Sequence, residues 1–356
     1  MKHLRLLKYL AVLSLPLMLW PAFAWRGGWS FLPLLYVFGV IPLLELLMPP
    51  DPANLSRAEE DLARNNPRYD WMIYLTVPLL YAALGVFFVV LARVPLQGYE
   101  VLGLVLAIGI MCGTFGINVG HELGHRSKAH ERLLAKVALL SSLYMHFYIE
   151  HNRGHHRHVS TPEDPASARR GETVFAFWLR SVAGSYRSAW RLEDERLRRQ
   201  GQGFWSWHNE MLRFQVIQLG WLLGIGLLGG PRVLLAYLGA ATVGFLLLET
   251  VNYIEHYGLQ RRRLASGAYE RVLPQHSWNS DHSLGRILLF ELSRHSDHHY
   301  LASRKYQILR HHDDSPQMPT GYPGMIVLAL LPPLWFAVMH PRLDRLEQLR
   351  TAPATT

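Results

Sequence analysis

Nineteen histidines stand in a chain of 356 residues that has a single cysteine, and nine of them fall into four short strings. His121-Glu122-Leu123-Gly124-His125 puts two imidazoles at i and i+4, on one helical face, where they can share a metal ion. Glu150-His151-Asn152-Arg153-Gly154-His155-His156 repeats that spacing and adds a third imidazole, and Arg294-His295-Ser296-Asp297-His298-His299 carries i, i+3 and i+4 spacing. His256 stands alone in Asn252-Tyr253-Ile254-Glu255-His256-Tyr257-Gly258. Tetrahedral zinc takes at most four protein ligands, so nine imidazoles are too many for one ion. Two metals, each with four or five imidazoles, account for the number. Neutral imidazole suits iron, copper and zinc. With Cys112 alone, the chain has no internal disulfide and no iron–sulfur or other thiolate-ligated redox domain, so an electron carrier must be a separate protein.

Two redox-active irons in an all-histidine cage at a membrane surface suggest oxygen activation on a lipid-soluble substrate. Two rival readings stay open. The string at 121–125 also matches the H-E-x-x-H of zinc metalloproteases, with Glu122 as general base, and a metal transporter would combine histidines with membrane spans, placing them at mid-membrane.

Metal-bound imidazoles need partners for their second ring nitrogen. Glu122, Glu150, Asp164, Glu249, Glu255, Asp281 and Asp297 lie beside the strings and are the candidates. Glu249 falls at the end of an apolar run, where a carboxylate is expensive unless it faces an interior partner. The other ten histidines, His3, His130, His146, His158, His208, His276, His282, His311, His312 and His340, lack paired spacing inside a motif and are read as non-ligands. His158 is the strongest exception, because it follows the second string. Cys112 reads as a packing residue.

The elements that must position these strings are membrane helices. Half of the residues are hydrophobic and 18% are charged, with mean hydropathy +0.06, a mixture of spans and polar segments. Six runs approach or exceed the ~20 residues that cross a bilayer as helix: 4–24, 29–48, 72–91, 101–119, 211–228 and 233–248. They pair into three hairpins with short outer turns at 25–28, 94–98 and 229–232; these outer loops, with Arg93 just before the second turn, carry only Arg26, Arg93 and Arg232 of the 36 basic residues. Basic residues confined to alternate loops follow the positive-inside pattern, with the N-terminus inside. This separates the net charge of +9 from nucleic-acid binding. Lys2, Arg5 and Lys8 precede the first run, and a second span follows it instead of a small-residue cleavage site, so an anchor is expected and not a removable leader.

The expected fold is an all-α integral membrane protein with six transmembrane helices and a histidine cage on the inner side. Residues 1–356 form one membrane-embedded catalytic domain whose chemistry lies in the inner segments 120–210 and 251–356. Within 49–70, Ser56-x-x-Glu59 is a capping box that starts a short helix. The stretch 172–200 reads as a basic amphipathic helix on the membrane surface. Tyr322–His340 is apolar enough to span, but Pro332-Pro333 interrupts it, which points to a re-entrant or surface-packed segment.

The same residues resemble a known family. The string EHNRGHHRHVSTPEDPASARRGE at 150–172, with HELGHR at 121–126, NYIEHYGL at 252–259, RHSDHH at 294–299, YQILR at 306–310 and SPQMPTGYPGM at 315–325, is similar to the membrane-bound alkane 1-monooxygenases of the histidine-box desaturase and hydroxylase superfamily. Desaturases and hydroxylases at large share histidine boxes but not the NYIEHYGL string, while xylene side-chain monooxygenases are nearer relatives. The resemblance implies a multi-pass protein of the bacterial inner membrane with its active site facing the cytoplasm. It implies two non-haem irons held by His121, His125, His151, His155, His156, His256, His295, His298 and His299. It further implies electrons from rubredoxin, itself reduced by a NAD(P)H-dependent reductase, and O2-dependent hydroxylation of medium-chain n-alkanes to 1-alkanols. An alkane has no polar handle, so an apolar channel between the first four spans is expected, with Trp20, Phe38 or Phe115 as candidates for its closed end.

Overall fold

A computed structural model describes residues 4–351; Lys2 and His3 lie outside the described residues. The apolar runs form helices Arg5–Trp25, Gly27–Leu47, Pro67–Arg93 and Gly98–Gly124, followed after the first inner segment by Glu210–His256, 47 residues long. The last is not straight. Gly230 sits at φ 77° and ψ 178°, and Trp221 Nε1 donates to the Tyr237 hydroxyl at 2.8 Å, a pair that a straight helix would hold about 24 Å apart. The segment is therefore a hairpin of two apolar helices, which gives the described residues six candidate passes. Among the described residues there are no strands, only two isolated bridges.

Two of the helices run further inward than their apolar stretches predict. The fourth continues past residue 119 to Gly124, through a π-helical segment at Cys112–Asn118, so His121 occupies its last turn. The sixth pass continues from 248 to His256, and His256 ends a span instead of following one. Hydropathy falls where Glu249, Asn252 and Glu255 begin, yet the helix persists because these polar residues meet interior partners: Tyr144 donates to Glu249 at 2.7 Å and Tyr322 to Glu255 at 2.8 Å. Polar side chains satisfied inside a bundle need not end a span.

Small residues bring the fourth span and the sixth pass into register. A Cβ at Gly109 would stand 2.4 Å from the Val243 side chain, and one at Gly244 would stand 2.9 Å from that of Cys112. Backbones this close are the usual way helices pack in lipid, and the approach sets His121 and His256 at the same inner level. Cys112 is fully buried there, its thiol facing the Ser141 carbonyl. The outer circumference is apolar, with Leu17, Leu47, Val89 and Leu228 exposed, and Trp20, Trp25 and Trp29 stack edge to face near the first outer turn, where interfacial aromatics belong.

The inner segments fold over the bundle. The helix Arg57–Arg64 begins at the Ser56 capping box, with Ser56 N donating to Glu59 Oε2 at 2.9 Å, and the amphipathic helix runs Val174–Arg199. Tyr322–Ala329 and Pro332–Leu349 meet at 119°, so the prolines break this segment as expected.

Candidate metal centre

All nine expected imidazoles converge at the inner ends of the fourth and sixth passes, in two groups. His121, His125, His151, His156 and His298 form one; His155, His256, His295 and His299 form the other. Within each group one ring nitrogen per residue lies within 4.8 Å of the others. The i, i+4 pairs 121/125 and 295/299 each stay together, and His298 reaches across to the first group.

The second string departs from the expected spacing. His151 pairs with His156, five residues on, and His155 joins the other group. The cause is local: His151–His155 is π-helical. A π turn widens the backbone bond from i+4 to i+5, so the fifth residue returns to the starting face and the fourth is released.

The nitrogen geometry fits metal ions. Nε2 of His151 lies 3.1 Å from Nε2 of His125 and 3.0 Å from Nε2 of His156. In the second group Nε2 of His155 is 3.2 Å from Nε2 of His299, and Nε2 of His295 is 3.2 Å from Nε2 of His256. Two nitrogens bound to one ion at about 2.1 Å and at right angles lie about 3.0 Å apart. Both ring nitrogens of His121 and of His298 are buried without a hydrogen-bond partner, a costly arrangement unless something else takes their lone pairs. Burial first, then the neighbouring imidazoles, holds His125, His151, His156, His295, His298 and His299 well below the usual imidazole range. They are neutral, the form that ligates.

Of the seven candidate carboxylates, two reach one of the nine clustered imidazoles. Asp164 Oδ2 lies 2.9 Å from Nδ1 of His155; burial alone would raise this carboxyl, but His155 and Ser167 hold it below the usual range. Glu255 Oε2 lies 3.2 Å from Nε2 of His295, on the side of the ligating nitrogens. The other five form no hydrogen bond to the nine imidazoles. Glu122 accepts from Arg126 at 2.6 Å and from the Tyr306 amide at 3.2 Å. Glu249 accepts from Tyr144, and Asp281 takes Arg294 at 3.1 Å and His311 at 2.6 Å. Glu150 is buried with Oε1 unpartnered, and burial beside Asp164 and Glu249 raises its carboxyl well above the usual range. Asp297 takes both oxygens' worth of Arg304 at 2.6 and 2.7 Å and His312 at 2.7 Å. Glu122 is thus committed to a structural ion pair, which weakens its claim as a peptidase base. His121 and His125 lie at the end of the fourth pass and His256 at the end of the sixth, and the other six imidazoles lie outside the spans, not midway along one.

His311 and His312, read as non-ligands, clamp Asp281 and Asp297 at 2.6 and 2.7 Å, a role that the adjacent Asp313-Asp314 disguised. His158 pairs with Glu163 at 2.9 Å, outside both groups. Just before the third string, Phe290 and Glu291 take φ of 50° and 61°, which for side chains other than glycine costs about 1–2 kcal/mol each. Glu291 is held there by Lys8 at 2.6 Å, Tyr9 at 2.9 Å and Arg286 at 3.0 Å.

An apolar cavity of about 80 Å³ ends on His121, His151 and His295, members of both groups. Leu15, Phe38, Ile110 and Leu247 line it, so it lies between the first, second, fourth and sixth passes. The third pass contributes nothing and the sixth replaces it, because the close contact of the fourth and sixth passes draws the sixth inward. Of the three candidate stops only Phe38 lines the cavity; Trp20 faces outward at 63% exposure and Phe115 is fully packed elsewhere. Phe38, Ile110, Leu247 and Ile326 also wall a second apolar cavity of about 450 Å³. All three π-helical segments touch the first cavity: Tyr36–Val40 through Phe38, Cys112–Asn118 through Asn118, and His151–His155 through His151. Each contains a glycine, the one trace in the sequence that could have flagged them.

The fatty acid desaturase family model matches residues 97–329, which contain every one of the nine histidines. Alkane 1-monooxygenase 2 of Pseudomonas aeruginosa is 44% identical over 95% of this chain and 93% of its own length. Alkane 1-monooxygenase of Pseudomonas putida is 40% identical over 94% and 85%. The xylene/toluene monooxygenase hydroxylase component of Pseudomonas putida is 31% identical over 79% and 75%.

Proposed function

We propose that this chain, which belongs to the alkane 1-monooxygenase family within the fatty acid desaturases, hydroxylates the terminal methyl of medium-chain n-alkanes: RH + O2 + 2e⁻ + 2H⁺ → ROH + H2O. The observation that carries this reading is the apolar cavity ending on imidazoles of both groups. Higher identity to the alkane enzymes than to the xylene enzyme supports an alkane over an alkylbenzene.

In this reading the five and four imidazoles each hold one iron, and bound iron supplies activation of O2. The protein's own contribution is placement. The substrate is held by burying its methylenes, roughly 0.8 kcal/mol for each CH2, and the cavity walls admit one chain end to the imidazoles. Terminal selectivity follows from that restriction, since an internal methylene does not reach the same point. Phe38, between the two cavities, sets how far a chain extends. Residues 1–356 act as one catalytic domain in the bacterial inner membrane, with the cage facing the cytoplasm. That orientation is supported by the sparse basic residues of the outer turns.

Electrons come from rubredoxin. A cleft bearing Pro162, Asp164, Arg169, Arg187 and Arg191, and a neighbouring one bearing Arg157, share Glu163 and Arg191. Arg157, Arg169, Arg187 and Arg191 are exposed, and Asp164 on the floor touches His155. An acidic carrier docked on these arginines would stand next to the second imidazole group, with fast and salt-sensitive association.

The test is purified protein in uncharged detergent with octane, ¹⁸O2, rubredoxin and its reductase, together with metal analysis. The reading expects two irons per chain and 1-octanol carrying one labelled oxygen. One zinc per chain with no oxygen uptake would overturn it.

A further inference from the structure

Where the amphipathic helix meets the start of the fifth pass, a polar cleft of about 380 Å³ is lined by Arg153, Arg196, Trp207, His208, Glu210 and Arg213. It lies outside the imidazole groups and has no part in the proposed reaction. Its charges do not balance. Glu193 takes Arg153 at 2.9 Å and Arg196 at 2.6 Å, while Glu210 takes Lys136 and, at 3.7 Å each, Arg153 and Arg213. Four cations share two carboxylates. Arg213 is the least engaged: its one ion pair is long, its Nε is buried without a partner, and its side chain is 39% exposed.

The cleft's position identifies what would neutralise the excess. Val216 and Ile217, three and four residues beyond Arg213 and so on the same helical face, are exposed apolar side chains of the fifth pass. Arg213 therefore sits one turn from the place where the lipid-facing surface begins. Trp205 and Trp207 are 85% and 69% exposed beside it, an exposure that would be a liability in water and is ordinary at the headgroup level of a bilayer. A long basic side chain at a span end reaches toward lipid phosphate. A soluble acidic protein would not explain two largely exposed indoles within two residues of each other.

We infer that this cleft binds the phosphate of an anionic phospholipid, seated on Arg213, Arg196 and Arg153 with Trp205 and Trp207 in the headgroup layer. The lipid anchors the junction between the amphipathic helix and the fifth pass.

The experiment measures binding of phosphatidylglycerol and of phosphatidylcholine to the delipidated full chain in uncharged detergent by native mass spectrometry, with inorganic phosphate as competitor. Phosphatidylglycerol should bind tighter than phosphatidylcholine by roughly tenfold or more, and phosphate at equal concentration should not displace it. Arg213→Gln should weaken phosphatidylglycerol binding about fivefold, the effect of one basic residue at an anionic surface. Arg213→Lys should recover most of it, and Arg232→Gln on the outer turn should change nothing. Equal binding of the two lipids, or no effect of Arg213→Gln, would overturn the proposal, and displacement by inorganic phosphate would make the cleft a free-anion site. Should Arg213→Gln not fold, brominated phosphatidylglycerol gives a second reading. Its quenching of tryptophan fluorescence must fall in the Trp205→Phe, Trp207→Phe double variant, and unchanged quenching would also overturn the lipid assignment.

Discussion

The two imidazole groups are built from the same side chain, yet they are held differently. The second group, His155, His256, His295 and His299, is buried throughout, and carboxylates of Asp164 and Glu255 touch two of its members. The first group has five imidazoles, of which His125 and His156 are partly exposed, and no carboxylate bonds to any of them. Four buried imidazoles with carboxylates beside two of them would make a closed site; five, two of them partly exposed and none touched by a carboxylate, would make a more open one. Asp164, on the distal nitrogen of His155, fixes that ring and raises its basicity, and Glu255 adds a carboxylate on the ligating side of His295, so the second group should be the tighter and the slower to exchange.

The most drastic way to break this comparison is to test whether the groups are separate at all. His155 and His156 are neighbours in sequence assigned to opposite groups, and either change to alanine should lower turnover by roughly 100-fold or more, since ligands acting as a unit are not additive. The discriminating measurement is metal content of double variants. His155→Ala with His295→Ala removes two ligands from one group and should leave one metal per chain. His156→Ala with His295→Ala damages both groups and should leave none. Equal contents would dissolve the distinction and with it the role given to the π turn.

Asp164→Asn comes next in size. It keeps the shape but loses the charge on His155, and partners of this kind typically carry 10–100-fold in metal affinity. Competition with a chelator of known affinity should show that loss in one metal only, the other being held as in the unaltered protein. A uniform loss would mean that Asp164 supports the fold and not the second group. Smaller again is the kinetic difference in the unaltered protein. Metal release to excess chelator should be biphasic with equal amplitudes, the faster phase from the group containing His125 and His156, by about tenfold if solvent access governs exchange. A single phase would remove exposure from the explanation.

Much of this was legible beforehand, and what was not has identifiable causes. Six apolar runs, the hairpin turns and the Ser56 cap are local signals, and the helices formed where those signals stood. The nine histidines announced themselves by number and spacing. The partition of His155 from His156 did not, because an i, i+4 reading assumes α geometry and the π turn at His151–His155 changes the period. The inner ends of the fourth and sixth passes were misjudged for a related reason: hydropathy reports what faces lipid, whereas Glu249 and Glu255 face Tyr144 and Tyr322, residues more than sixty positions away in sequence. Long-range partners of that kind also hid the clamps His311 and His312 and brought the sixth pass, in place of the third, to the cavity wall.

Tyr322→Phe is the finest probe of the difference between the groups. Its hydroxyl donates to Glu255 Oε1 at 2.8 Å, and the other oxygen of that carboxylate stands 3.2 Å from Nε2 of His295. Removing the hydroxyl takes away one hydrogen bond to a carboxylate, worth about 1.5–3 kcal/mol where the acceptor is charged, but water in the vacated space and a small shift of Glu255 recover part of it. The effect on affinity of the second metal should therefore stay below tenfold, less than that of Asp164→Asn, and the first metal should be unaffected. Because Tyr322 also lines the cavity beside Pro323 and Ile326, the same variant separates two roles. A change in KM for octane with unchanged metal affinity would make Tyr322 part of the cavity wall only, whereas weaker metal binding with unchanged KM would tie it, through Glu255, to the group that the comparison calls closed.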